Sequence, residues 1–133
     1  MAEVRSPREV FEAQLCGVMC EEWDTVPELY AEDAVVEQPF AKPREVRLVG
    51  REAIRRHFAG AAGLPLRMRA RDLVVYETTD PEVVVAECDY DVTVTTSGRE
   101  LSVHNIFVVR VRDGRIVWSR DYHDPVALAG ALG

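Results

Sequence analysis

Residues 66–72, LRMRARD, mark the point where the chain changes its period. Leu66, Met68 and Ala70 fall on one side of an extended strand and Arg67, Arg69 and Arg71 on the other, the two-residue alternation of a half-buried β-strand. Before this stretch the longest apolar patterns repeat at three and four residues, and after it they repeat at two. Helices segregated from a run of strands in this way indicate an α+β domain, with helices packed on one face of a mostly antiparallel sheet. At 133 residues, a single domain around one core is expected.

Upstream, Ser6, Pro7 and Glu9 form a helix start: an N-cap hydroxyl, proline in the first helical position and a glutamate closing the capping box. Val10, Phe11, Gln14, Leu15, Val18, Met19 and Glu22 share one face and predict a helix to about Trp23. Thr25 with Glu28 predicts a second helix to about Glu32, burying Val26, Leu29 and Tyr30, before a short strand from Ala34 to Gln38 that Pro39 ends. Residues 39–50 read as an irregular segment over a pocket mouth, with a brief strand at Val46 to Val49. A third helix, Arg51 to Ala62, presents Ala53, Ile54, Phe58 and Ala61 with His57 beside them, and stops at Gly63 and Pro65.

Downstream, Val83 to Thr95 sets Ala86, Cys88, Tyr90, Val92 and Val94 against Glu87, Asp89 and Asp91. A turn centred near Thr79 places Arg71 opposite Glu87, Arg69 opposite Asp89 and Arg67 opposite Asp91. The carboxylates then belong to a solvated ladder of opposite charges rather than a metal site, which would need convergent oxygens. Leu73, Val75, Val83 and Val85 break the pattern, implying either a bulge that flips the parity or a patch that meets a second subunit. Ser97 and Gly98 make the next turn, and Asp113-Gly114 joins the strands Leu101 to Arg112 and Arg115 to Tyr122 as a hairpin. The tail after Pro125 is compatible with a short helix.

A net charge of -7 argues against nucleic acid as a partner, because phosphate binding needs clustered Lys and Arg. No apolar run reaches the length of about 18 residues that a membrane span needs, and MAEVRSPREVF lacks the apolar core of a signal peptide, so a cytoplasmic protein is expected. Fifteen of the sixteen basic residues are Arg, the bias of a GC-rich bacterial genome. The three cysteines are expected as reduced thiols, since Cys16 and Cys20, one helical turn apart, suit a disulfide poorly. No glycine-rich phosphate loop, nucleophile elbow, HxxxH or CxxC is present, so neither a cofactor nor a metal is expected.

LYAEDAVVEQPF, GREAIRRHF and VVRVRDGRIVWSRDYHDP together resemble the SnoaL-like branch of the nuclear transport factor 2-like superfamily, over residues 6 to 128 of one domain spanning 1–133. The resemblance implies a cone-shaped fold, three N-terminal helices on a curved sheet around an apolar pocket, often as a homodimer. Family members include polyketide cyclases, ketosteroid isomerase, limonene epoxide hydrolase, phenazine-biosynthesis proteins and non-catalytic binding modules. Where ketosteroid isomerases carry a base aspartate before proline, this chain has Gln38, which takes no proton at neutral pH. Their oxyanion carboxyl and tyrosine fall near Phe107 and Cys16. The WRDYFD pattern of limonene epoxide hydrolase is echoed by WSRDYHD, placing its aspartate on Asp121. Its companion arginine and aspartate fall on Cys88 and Tyr90.

Alternation puts Val117, Ser119, Asp121 and His123 on one strand face and Val103, Asn105, Phe107 and Val109 beside them, both turned to the pocket. A carboxylate in such a half-apolar cavity is pushed above its ordinary value of about 3.9, which suits a base working near neutrality. Asp121 is therefore the candidate acid or base, with His123 and Tyr90 as relay or orienting groups. Gln38, Phe40, His57, Phe58, Cys88, Asn105, Phe107 and Ser119 are candidate substrate contacts, and His104 falls on the outer face. These residues point to a cofactor-free acid-base enzyme of cyclase, isomerase or dehydratase type, acting on a hydrophobic oxygenated small molecule in bacterial polyketide or other natural-product biosynthesis. The alternatives are a non-catalytic small-molecule-binding or dimeric scaffold module, and an epoxide hydrolase.

Overall fold

Ser6 opens the first helix through both halves of a capping box: Glu9 N–H donates to its Oγ at 3.2 Å, and its own N–H donates to Glu9 Oε1 at 2.9 Å. In the computed structural model, which describes residues 4–127, this helix, α1, runs Pro7–Met19. It is followed by a four-residue 3-10 turn, Val26–Leu29, then β1 (Tyr30–Gln38), β2 (Val46–Val49), α2 (Arg51–Ala61), β3 (Leu66–Glu77), β4 (Val83–Val94), β5 (Glu100–Arg112) and β6 (Arg115–His123). The strands form one sheet in the order β2-β1-β6-β5-β4-β3, antiparallel throughout except where β1 lies parallel to β6. Two helices and the 3-10 turn pack on this six-stranded mixed sheet, an α+β arrangement.

Helix α1 ends four residues before the expected Trp23. Glu21 adopts a left-handed conformation (φ 58°), its N–H bonding Val18 O at 3.1 Å while Glu22 N–H bonds Gly17 O at 2.8 Å. This is a Schellman closure made with glutamate instead of glycine, so the sequence carries no stop signal there. The expected second helix is only the 3-10 turn. Thr25 gives it no side-chain cap; its Oγ1 donates instead to Glu22 O at 3.2 Å. Tyr30 is already extended (φ -100°, ψ 144°), so β1 starts four residues before the expected Ala34.

The charge ladder on the outer face is also displaced from the expected pairing. Arg71 lies opposite Asp89, Arg69 opposite Asp91 and Arg67 opposite Thr93, because the turn is centred past Asp80, with Glu77 opposite Val84, rather than near Thr79. An extra residue in β3 between Arg71 and Val74, with Asp72 at φ 55°, then moves the pairing back by one and returns the arginines to the acidic face. The bulge turns Val75 against the core and leaves Leu73, Val74 and Tyr76 exposed outside. Arg71 still reaches Asp91 at 2.8 Å and Asp89 at 3.4 Å. A second irregularity, opposite Arg110 and Val111, inserts Val117 into β6 and buries Ile116, so the inward set is Ile116, Ser119, Asp121 and His123 rather than one headed by Val117. Residues 125–127 carry helical backbone, and the rest of the expected tail helix lies outside the described residues.

The core is built from Val10, Phe11 and Leu15 of α1, Ile54 of α2, and inward residues such as Val36, Ala86 and Val109 of the sheet. Phe11 and Phe107 join helix to strand, their rings tilted at 5.4 Å. Gly17 lets Val26 lie against α1, since a Cβ there would sit 2.6 Å from Val26 Cγ2. Gly17→Ala gains about 1 kcal/mol of helix propensity but is expected to lose about 1–3 kcal/mol by overpacking a stiff, buried valine. Denaturant titration should show net destabilisation that Val26→Ala relieves.

Candidate functional site

Every helix and strand contributes to one cavity of about 170 Å³ between the helices and the inner sheet face. Val18, Val36, Leu48, Ile54, Phe58 and Met68 supply apolar walls, with Val92, Val103 and Phe107 completing them. Polar groups enter at spaced points: Gln14 from α1, Tyr30 from β1, His57 from α2, Tyr90 from β4, Asn105 from β5, and Asp121 with His123 from β6. This is the composition of a small-molecule site, an apolar shell with a few convergent polar groups.

Asp121 is partly buried at the inner face of β6, opposite Phe107 on β5. Among the described residues no hydrogen bond reaches its carboxyl group, and loss of water around it pushes its pKa up to about 7. The group therefore exchanges a proton near neutrality, the condition for a general acid or base. Burial also raises the Tyr30 and Tyr90 hydroxyls, with the nearby Asp121 adding to both, so both phenols stay protonated. Burial lowers the His57 imidazole, and lowers that of His123 against a partial opposing pull from Asp124, so both rings are neutral at pH 7. Gln14 Nε2 donates to the Tyr30 hydroxyl oxygen at 3.4 Å, which leaves the phenolic hydrogen free to donate.

Gln14 and Tyr30 were not among the sequence candidates. Gln14 had a signal, a polar residue within the apolar stripe of α1, whereas Tyr30 was hidden by its assignment to the second helix, which is a 3-10 turn ending at Leu29. Tyr30 comes to lie near Asp121 through the early start of β1, which converts it from a helical core residue into the first inward residue of a strand.

A SnoaL-like domain profile matches residues 18–119. The chain belongs to the SnoaL-like domain family. The uncharacterized PhzA/B-like protein PA3332 of Pseudomonas aeruginosa is 36% identical over 107 residues, which cover 80% of this chain and 75% of that one. A crystal structure from Bacillus subtilis superposes with a TM-score of 0.86 at 28% identity, covering 96% of this chain and 92% of that chain. The epoxide hydrolase/cyclase-like enzyme SalBIII, described in pyran ring formation in polyether salinomycin, shares the fold with a TM-score of 0.73 at 17% identity, covering 91% of this chain and 92% of that chain.

Seven of the candidate residues in this SnoaL-like chain converge on the cavity: Asp121, His123, Tyr90, His57, Phe58, Asn105 and Phe107. Four do not line it. Gln38 sits half-buried at the end of β1 opposite Val46, and the turn after it carries Phe40 to the outside, 55% exposed and edge-on to Tyr122 at 5.2 Å. Cys88 points inward but is packed into the core, where burial raises its thiol to about 11, too high for a nucleophile. Ser119, also inward, is buried between Val36 and Val109 with no hydrogen-bond partner for its Oγ among the described residues. His104 lies on the outer face, its Nδ1 2.6 Å from Asp89 Oδ1. Among the described residues, no three His, Cys, Asp or Glu side chains converge as a metal site would require, and no helix is long and apolar enough to cross a membrane.

Proposed function

We propose that this SnoaL-like protein is a cofactor-free acid-base enzyme of cyclase, isomerase or dehydratase type, acting on a hydrophobic oxygenated small molecule. One observation carries the reading: a carboxyl group without a hydrogen-bond partner among the described residues, titrating at about 7 inside an apolar cavity. Asp121 is the proton-transfer group. Tyr30 and Tyr90 donate hydrogen bonds to a substrate oxygen and stabilise the negative charge that develops there, as preorganised donors do in a water-poor site. The neutral imidazoles of His57 and His123 orient the substrate or pass its proton onward. The cyclase-like neighbour SalBIII supports this chemistry by analogy. We place the enzyme in the cytoplasm as a homodimer, its second copy covering the exposed Leu73, Val74, Tyr76 and Ile106 of the outer sheet face.

The position shared with limonene epoxide hydrolase at Asp121 favours epoxide opening as a second reading. However, Cys88 and Tyr90 replace the relay's arginine and aspartate. The test is a screen of the wild-type protein against aromatic polyketides, terpene epoxides, steroids and phenazine precursors, following stability by thermal shift and products by mass spectrometry. Conversion by the wild type is expected. Binding without conversion of any compound would replace the enzyme with a carrier.

A further inference from the structure

We infer that the cavity takes an uncharged, single-ring-sized molecule bearing an oxygen acceptor and rejects the acid form of the same skeleton. The inference rests on the reading of this cavity as the substrate site and narrows its substrate class. The chain holds sixteen Lys and Arg residues, yet among the described residues none lines the cavity.

The local structure explains this exclusion. Arg51, in the first turn of α2, spends its Nε–H on the Tyr30 carbonyl at 2.9 Å. Arg120, adjacent to Asp121, is carried by strand alternation to the opposite face, where its guanidinium lies 4.5 Å from the Trp118 ring and 3.5 Å from Glu37. Arg55, one turn from His57 and Phe58, is held outward by Glu28 at 2.8 Å. What remains inside is amide, phenol, imidazole and a single carboxyl group.

An anion entering this space loses its water, finds no cation and meets Asp121, a carboxylate whenever it is ionised. A buried charge without a partner is strongly disfavoured. A cation would pair with Asp121 and occupy the group that must move the proton. Size sets the other limit, because about 170 Å³ is the scale of an apolar cavity of about 150 Å³ that admits benzene. It follows that the preceding reaction must deliver its product with any acid group removed or masked, as an ester, lactone or amide.

The test uses the intact protein at pH 7.5 and three probes of one ring each, phenol, cyclohexanone and benzoate, titrated by calorimetry and by NMR shifts of the cavity residues. Phenol and cyclohexanone are expected to bind, and benzoate to bind at least about 30-fold more weakly. Leu48→Arg, which places a guanidinium on the cavity wall at the edge strand β2, should raise the affinity for benzoate relative to that for phenol. Benzoate binding as tightly as phenol would overturn the inference, and so would the failure of both neutral probes to bind at their solubility limits. Because these are binding measurements, they separate from turnover: charge preference without conversion would remove the acid-base reading and leave this one, and Asp121-dependent conversion of an anionic substrate would do the reverse.

Discussion

Asp121→Asn is expected to lower kcat/KM on the converted substrate by about 10³, the range a positioned proton-transfer group supplies, while the variant stays folded and still binds ligand. Asparagine keeps the shape and a hydrogen-bonding oxygen but cannot take or give the proton. The wild-type pH profile should bend near 7, where the carboxyl group titrates. A rise in kcat/KM through that pH identifies Asp121 as the base, since the ionised form is then the active one; a fall identifies it as the acid. The bend should vanish in Asp121→Asn. Unchanged turnover in the variant would move the chemistry elsewhere, and His57 or His123 would have to carry it.

The same substitution should make the protein more stable at alkaline pH. The carboxyl group titrates at 3.8 when exposed and at about 7 in the folded chain, so the folded state holds its proton more tightly. Its contribution is complete below pH 3.8 and is lost as pH rises through 7, with about 1.4 kcal/mol at stake for each unit of displacement. Water entering the cavity lessens the penalty, so the stability gap between Asp121→Asn and the wild type should widen in favour of the variant by roughly 2–4 kcal/mol between pH 4 and pH 8. His57 and His123, whose values fall on folding, act in the opposite sense below about pH 6.5 and are common to both proteins. The difference between the two denaturation series therefore isolates Asp121. Parallel stability curves would mean that the carboxyl group is well solvated in the folded state.

The inward faces of the strands were legible because alternation is a local property. Leu66, Met68 and Ala70, like Val103, Asn105 and Phe107, point where a period of two sends them, and Asp121 and His123 arrive at the cavity by the same rule. What the sequence hid is where alternation restarts. Neither the extra residue beside Asp72 nor the one at Val117 has a composition that marks it, since Asp and Val are ordinary strand-end and strand residues. The same holds for Glu21, which closes α1 where a glycine would have announced the stop. Tyr30 was lost to a plausible capping pattern at Thr25 and Glu28, overridden because Tyr30 goes straight into an extended strand that pairs with β6. Gln38, Phe40, Cys88 and Ser119 show the remaining limit: facing inward, or preceding a proline, does not say at which depth along a strand the space opens.

Strand β6 has a neighbour on both sides, β1 in parallel and β5 antiparallel, so the backbone bearing Asp121 is tied into the middle of the sheet. Leu48 on the edge strand β2, and His57 and Phe58 on α2, instead belong to elements at the periphery. Amide exchange of an edge strand and of a helix over a cavity is governed by local opening, whereas that of a central strand approaches the rate of whole-molecule unfolding. A ligand can thus come and go by breathing of the rim while Asp121 keeps its place. A lineage can likewise redraw which molecules it accepts through changes at positions such as 48, 57 and 58, with Asp121 undisturbed beneath them.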